Sequence, residues 1–316
     1  MSSLDPTTRM QIDEPLLIIG FNRPDHMRVL IERLREIEPR NIYVAIDGPR
    51  SDRPDEREMV ERCRNLVDEI DWEAEVETLF QEDNLGCGLG VSTAIAWFFD
   101  HEERGIILED DIIPDPSFFP YCTELLDRYE SDQRVFAISA CNFVPPEAIT
   151  RPDDPYRFSQ VPHIWGWATW RRSWMQHQLD IADWRSRLPL RTLFHRVHRS
   201  APAFAYWASF FSVLGRGEVD TWDGQLVLAS MVSGQWTATS NRNLIQNIGF
   251  DDLATHTFED RGELQPVMPM VTPMAPVPVV VDARADDWTR RHHFHATARG
   301  MVQQASLYVK RRLGRS

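Results

Sequence analysis

The chain has 316 residues, enough for one large α/β domain or two small ones. An apolar content of 42%, with 11 Trp and 16 Phe, can fill a sizeable core and excludes a disordered chain. The net charge of −14 argues against nucleic acid as a general partner.

Pro15 to Gly20 is a short apolar run and reads as a buried strand. Pro24 and Asp25 then suit a helix start, with Met27, Leu30, Ile31 and Leu34 at helical spacing. Asn41 to Ile46 reads as a second strand, ended by Asp47-Gly48-Pro49. A charged helix is expected from about Asp55 to Glu69, and Glu75 to Phe80 alternates as a third strand. Asn84 to Gly90 reads as a glycine-rich turn before a helix through Phe99. Its glycines Gly86, Gly88 and Gly90 would permit close backbone approach to a ligand. Gly105 to Leu108 is a fourth strand, followed at once by Glu109-Asp110-Asp111. A helix from about Ser117 to Tyr129 precedes a fifth strand, Val135 to Ser139.

Strands alternating with helices predict an α/β fold with a mainly parallel sheet covered on both faces. Ligands of such sheets bind at the carboxyl ends of the strands. Arg23, Asp47 and Glu109-Asp110-Asp111 all fall at that edge. Three adjacent carboxylates repel one another, and an all-oxygen cluster suits Mg²⁺ or Mn²⁺ bridging to phosphates. After about Asn142 the chain turns Trp-rich and irregular, with helices expected at 190–213 and 222–233. Gln265 to Val281 is expected to be extended and packed on the domain. Trp288 to Ser316 is basic, lacks acids, and reads as an amphipathic helix that could touch an anionic membrane or the acidic body.

Four scattered cysteines without CxxC spacing argue against zinc and disulfides and fit a reducing compartment. Met1 to Asp13 has no apolar core, so no secretory signal is expected, and no 18-residue apolar run suggests a membrane span.

The segment GIILEDDIIPDPSFFPY resembles the metal-binding segment of GT-A fold glycosyltransferases, of the N-acetylglucosaminyltransferase I type. GFNRPDHMRVLIERL and AIDGP resemble that family's first strand, helix and uracil-reading loop. HIWGWATWRRSW resembles its donor-closing G-W segment, and bacterial hemolytic-protein-like sugar transferases. The resemblance implies a metal-dependent inverting transferase that moves a sugar from a nucleotide diphosphate, a UDP-sugar, to a glycan or lipid-linked acceptor in cytoplasmic cell-surface glycan assembly. It implies Asp111 and His256 at the Mn²⁺ or Mg²⁺ ion, with Arg23, Asp47, Glu109, Asp110, Gly166 and Trp167 on the donor. Asp223 in DTWDGQLVL is the implied base, with Asp220 as its rival and helix capping as the alternative for either. The implied organisation is a GT-A domain over 1–262, with a nucleotide-binding half at 15–140 and an acceptor half at 141–262, followed by 263–316. Other readings are a sugar nucleotidyltransferase, although FNRPDH lacks the glycine-rich loop and lysine of that class. A non-catalytic nucleotide-sugar binder and a two-carboxylate glycoside hydrolase complete the set.

Overall fold

Leu16–Gly20 forms strand β1, and all five residues are buried, as an unbroken apolar run implies for a central parallel strand. The computed structural model describes residues 11–249 and 264–297. Beyond β1 come α1 (Pro24–Leu34), β2 (Asn41–Ile46), α2 (Pro54–Asn65), β3 (Glu75–Phe80), α3 (Gly86–His101) and β4 (Arg104–Glu109). A short β5 (Ile112–Pro114) leads to α4 (Phe118–Arg128), β6 (Val135–Ser139), β7 (Tyr156–Ser159) and β8 (Trp167–Trp170). Helices α5 (Arg171–Trp174), α6 (Trp184–Arg187), α7 (Leu190–Arg196), α8 (Ala201–Leu214) and α9 (Asp223–Ser233) follow, then β9 (Trp236–Ser240), β10 (Ile245–Asn247) and α10 (Ala283–His292).

Eight strands form one sheet in the order β3-β2-β1-β4-β8-β6-β9-β7, and β5 pairs with β10 outside it. The first four are mutually parallel. Strand β8 runs antiparallel between β4 and β6, β9 is parallel to β6, and β7 closes the edge antiparallel to β9. The expected α/β class, a mainly parallel sheet flanked by helices, is therefore present. The two-residue period of β1 divides the core. Leu16 and Ile18 join Leu30, Val60 and Phe118 on one face, while Leu17 and Ile19 join Ile95, Phe98 and Leu226 on the other. A third cluster, including Trp184, Trp207, Phe211 and Leu228, forms under α6, α8 and α9.

The second half is more regular than its sequence suggests, since β7 and β8 complete the main sheet. The helix expected over 190–213 is two helices. His198 and Arg199 break it with left-handed φ values of 51° and 59°. Ser200 then caps α8, accepting a bond from the Ala203 N–H, with a proline in the first turn. The glycine-rich turn is the first turns of α3. Residues 264–281 pack on α4 as expected: Met270 N–H donates to Ser117 Oγ at 2.8 Å, and Met274 N–H to Glu124 Oε1 at 2.8 Å. The helix expected from Trp288 instead spans Ala283–His292 and carries Asp286 and Asp287. Positions 298–316 lie outside the described residues. Among the described residues no helix is long and apolar enough to cross a membrane.

Candidate active site at the carboxyl edge

Parallel pairing puts the ends of β1, β2 and β4 at one edge, so Arg23, Asp47 and the acidic triplet share it. Asp110 continues the ladder, its N–H donating to the Ile19 carbonyl at 2.9 Å. Pleat alternation then sends neighbouring carboxylates apart. Asp110 is buried and its carboxylate lies over Gly20, where an added Cβ would stand 3.5 Å from Oδ2. Asp111 instead pairs with Arg23, whose Nη1 donates to Oδ2 at 3.3 Å. Glu109 is half-buried and faces the start of α3. Burial, then the charges of Asp111, Asp110 and Asp223, push its carboxyl up to about 8, with Arg23 pulling the other way. Asp223, far along the chain, therefore lies within electrostatic reach of Glu109.

The triplet is thus not a closed cage. Among the described residues no group of three or more His, Cys, Asp or Glu is arranged to hold a metal. The donor chemistry nevertheless fits a hard cation: every candidate among the described residues is a carboxylate, and Glu109 is held in a field of like charges. Mg²⁺ and ions like it need only one or two protein carboxylates when phosphates and waters complete the shell. Asp111 is ion-paired, so a cation there would have to take the place of Arg23. His256 lies outside the described residues.

Asp223 opens α9. Its Oδ1 accepts from the Thr221 hydroxyl and from Gly224 N–H, the latter at 2.7 Å, which fixes the carboxylate. The stretch Asn247-Ile248-Gly249 reaches Asp111: Ile248 N–H donates to the Asp111 carbonyl at 2.9 Å. A Cβ on Gly249 would meet Asp111 Oδ2 at 2.1 Å, so a side chain there would displace the Asp111 carboxylate.

Two expectations need correction. Asp47 does not present a free carboxylate. It accepts from Gly48 N–H (2.8 Å), Asn84 Nδ2 (2.9 Å), Leu85 N–H (3.0 Å) and Gly86 N–H (3.2 Å), and so caps α3 from a distant loop. Burial still holds its carboxyl above the usual range, with these bonds opposing the rise. Trp167 is buried at 1% exposure and stacks on Trp222 with centroids 5.8 Å apart. It belongs to the core and offers no face to a sugar.

Gly166 adopts a φ of 67°, and a Cβ there would stand 2.6 Å from Ile245 Cγ2. Its lack of a side chain therefore serves packing against β10. Asp220 is not free either: it accepts from Cys87 N–H at 3.0 Å and Gly88 N–H at 2.9 Å. Asp47 and Asp220 together satisfy the N–H groups at the start of α3 that a helix leaves unpaired. Gly86 and Gly88 are small because Asp220 lies against them, with Cβ approaches of 2.6 Å at both. Two remote aspartates thus cap α3, which no local sequence pattern encodes. The one signal for a cap from elsewhere is a glycine-rich helix start without a capping side chain of its own.

No protein-family model matches the chain, and no curated protein matches it. Partial structural likenesses exist. UDP-glucose pyrophosphorylase complexed with UDP-glucose aligns with a TM-score of 0.35 at 9% identity, covering 75% of this chain and 92% of that one. HddC from Yersinia pseudotuberculosis gives 0.32 at 9%, covering 50% and 77%. Glucosyl-3-phosphoglycerate synthase from Mycobacterium tuberculosis, with Mn²⁺, UDP-glucose and phosphoglyceric acid, gives 0.27 at 11%, covering 50% and 57%. These likenesses are too distant to carry an activity across.

Proposed function

We propose that the chain is a divalent-metal-dependent glycosyltransferase that moves a sugar, with inversion, from a UDP-sugar to a glycan or lipid-linked acceptor on the cytoplasmic side. The observation that carries this reading is an acidic triplet at the carboxyl end of β4, beside β1, with Asp223 at the start of α9 within electrostatic reach of Glu109. A cluster of carboxylates with Arg23 as its cationic neighbour can accept a cation in place of that arginine, and a bound Mn²⁺ or Mg²⁺ would offset the charge of a departing diphosphate. Asp111 would hold it, and Arg23, released from Asp111, would turn its planar fork to phosphate oxygens. Asp223 Oδ2 would take the proton of the attacking acceptor hydroxyl, its carboxylate oriented by Thr221 and Gly224. Glu109 and Asp110 would border the donor sugar and ribose.

Thermal-shift titration of UDP-sugars with and without Mn²⁺ tests the reading. A donor at 100 times its Kd should stabilise the wild type by ~2.7 kcal/mol, and Asp111→Asn should lose the effect. Asp223→Asn should keep donor binding and lose turnover by roughly 10²-fold or more. If no UDP-sugar stabilises the protein in metal, or if Asp223→Asn turns over normally, the reading fails.

A further inference from the structure

At the opposite, amino edge of the sheet, the strand-to-helix packing leaves a cavity of about 260 Å³. Its wall is mainly apolar, from Val161, Val197, Trp207, Met231 and Phe294. Asp286 and Asp287 of α10 also line it and are already engaged: Asp286 accepts from Ser159 Oγ at 2.7 Å and Gln160 N–H at 3.0 Å, and Asp287 pairs with Arg290 and Arg291. An open cleft of about 370 Å³ adjoins it, lined by Arg191, His195 and Arg196 of α7, and Gln160 lines both. In a chain of charge −14, the stretch from Arg191 to Arg199 carries no acid, and among the described residues no ion pair joins Arg191, His195 or Arg199 to a carboxylate.

The basic groups are held rather than trailing. Arg196 Nε donates to the Met231 carbonyl at 3.0 Å and its guanidinium lies against Gly234, at the carboxyl end of α9 where a cation is favoured. His198 and Arg199 take left-handed backbone, a costly state for two successive non-glycine residues, and this kink sets His198 in the cavity wall.

We propose that cleft and cavity together form a binding site for an anionic amphiphile: a single-chain lipid with a phosphate monoester head, the head on Arg191, His195 and Arg196 and the chain against Trp207 and Phe294. Charge complementarity selects the head, and the apolar side chains beside it select a chain over free phosphate. The site lies beyond the transferase centre. Met231 is eight residues along α9 from Asp223, about 12 Å at the rise of a helix, so binding here stands or falls without the donor chemistry.

Calorimetric titration of the full chain with dodecyl phosphate below its micelle concentration tests this, beside inorganic phosphate and dodecyl maltoside. We expect one saturable site, at least tenfold tighter for dodecyl phosphate than for either control. Arg191→Ala with His195→Ala, both on exposed positions, should weaken it at least tenfold without changing the melting curve. Ala203→Met, which fills the cavity, should weaken dodecyl phosphate and leave inorganic phosphate unchanged. If that variant does not fold, the surface pair still decides. Equal binding of inorganic and dodecyl phosphate, equal binding by the surface variant and the wild type, or no saturable binding overturns the proposal.

Discussion

Single carboxylates at the sheet edge divide into two kinds by what already holds them. Asp47 and Asp220 give their oxygens to backbone N–H groups of α3, whereas Asp223 keeps one oxygen beyond its local bonds. Removing a cap costs about 0.5–2 kcal/mol. Asp220→Ala, which strands two N–H groups, should cost about 1–2 kcal/mol in urea unfolding. Asp223→Asn should leave stability nearly unchanged while lowering the proposed transfer by roughly 10²-fold or more. The opposite pattern would exchange the two roles. Cys87 reports on the same field: burial, then the charges of Glu109, Asp223, Asp220 and Asp47, push its thiol up to about 12. The native protein should therefore resist iodoacetamide at Cys87 at pH 8, and mass spectrometry of rapid Cys87 alkylation would contradict this.

At the scale of elements, legibility followed buried periodicity. Strands β1 to β4 are apolar or alternating runs bounded by turn residues, and their ranges were readable to within a residue or so. Strand β8 was not, because Trp167–Trp170 is buried on both faces and offers no alternation. The break between α7 and α8 had a signal in Ser200 and Pro202, but apolar spacing across it masked the stop. In the site, the acidic edge was legible because β4 ends directly in it. The roles of Asp47 and Asp220 were not, because a bond such as Cys87 N–H to Asp220 spans 133 positions and no local pattern encodes it. Gly166 belongs to this scale, since it sets the entry to β8. Gly166→Ala should cost roughly 2 kcal/mol or more, from left-handed backbone and the clash with Ile245. A urea midpoint within error of the wild type would show that this turn relaxes freely.

For the whole molecule, pH enters through Glu14, just before β1. It is 5% exposed, and burial lifts its carboxyl to about 7 despite the Arg104 partner. The folded state thus keeps a proton that the unfolded chain has lost. The stabilising effect is full below the ordinary glutamate value of about 4.3 and is lost as pH rises through about 7. Glu14→Gln should flatten that decline between pH 5 and 8, and unchanged slopes in urea titrations at these pH values would remove Glu14 as its source.

Because β8 lies between β4 and β6, a chain growing on the ribosome completes the four parallel strands long before their open flank finds its partner. Until Trp170 emerges, β4 presents unpaired N–H and C=O groups and a bare apolar surface, the kind of edge on which nascent chains associate wrongly. Slow elongation across 110–166 would prolong that exposure, so yield in an expression host should depend on translation speed there more than on the finished fold's stability.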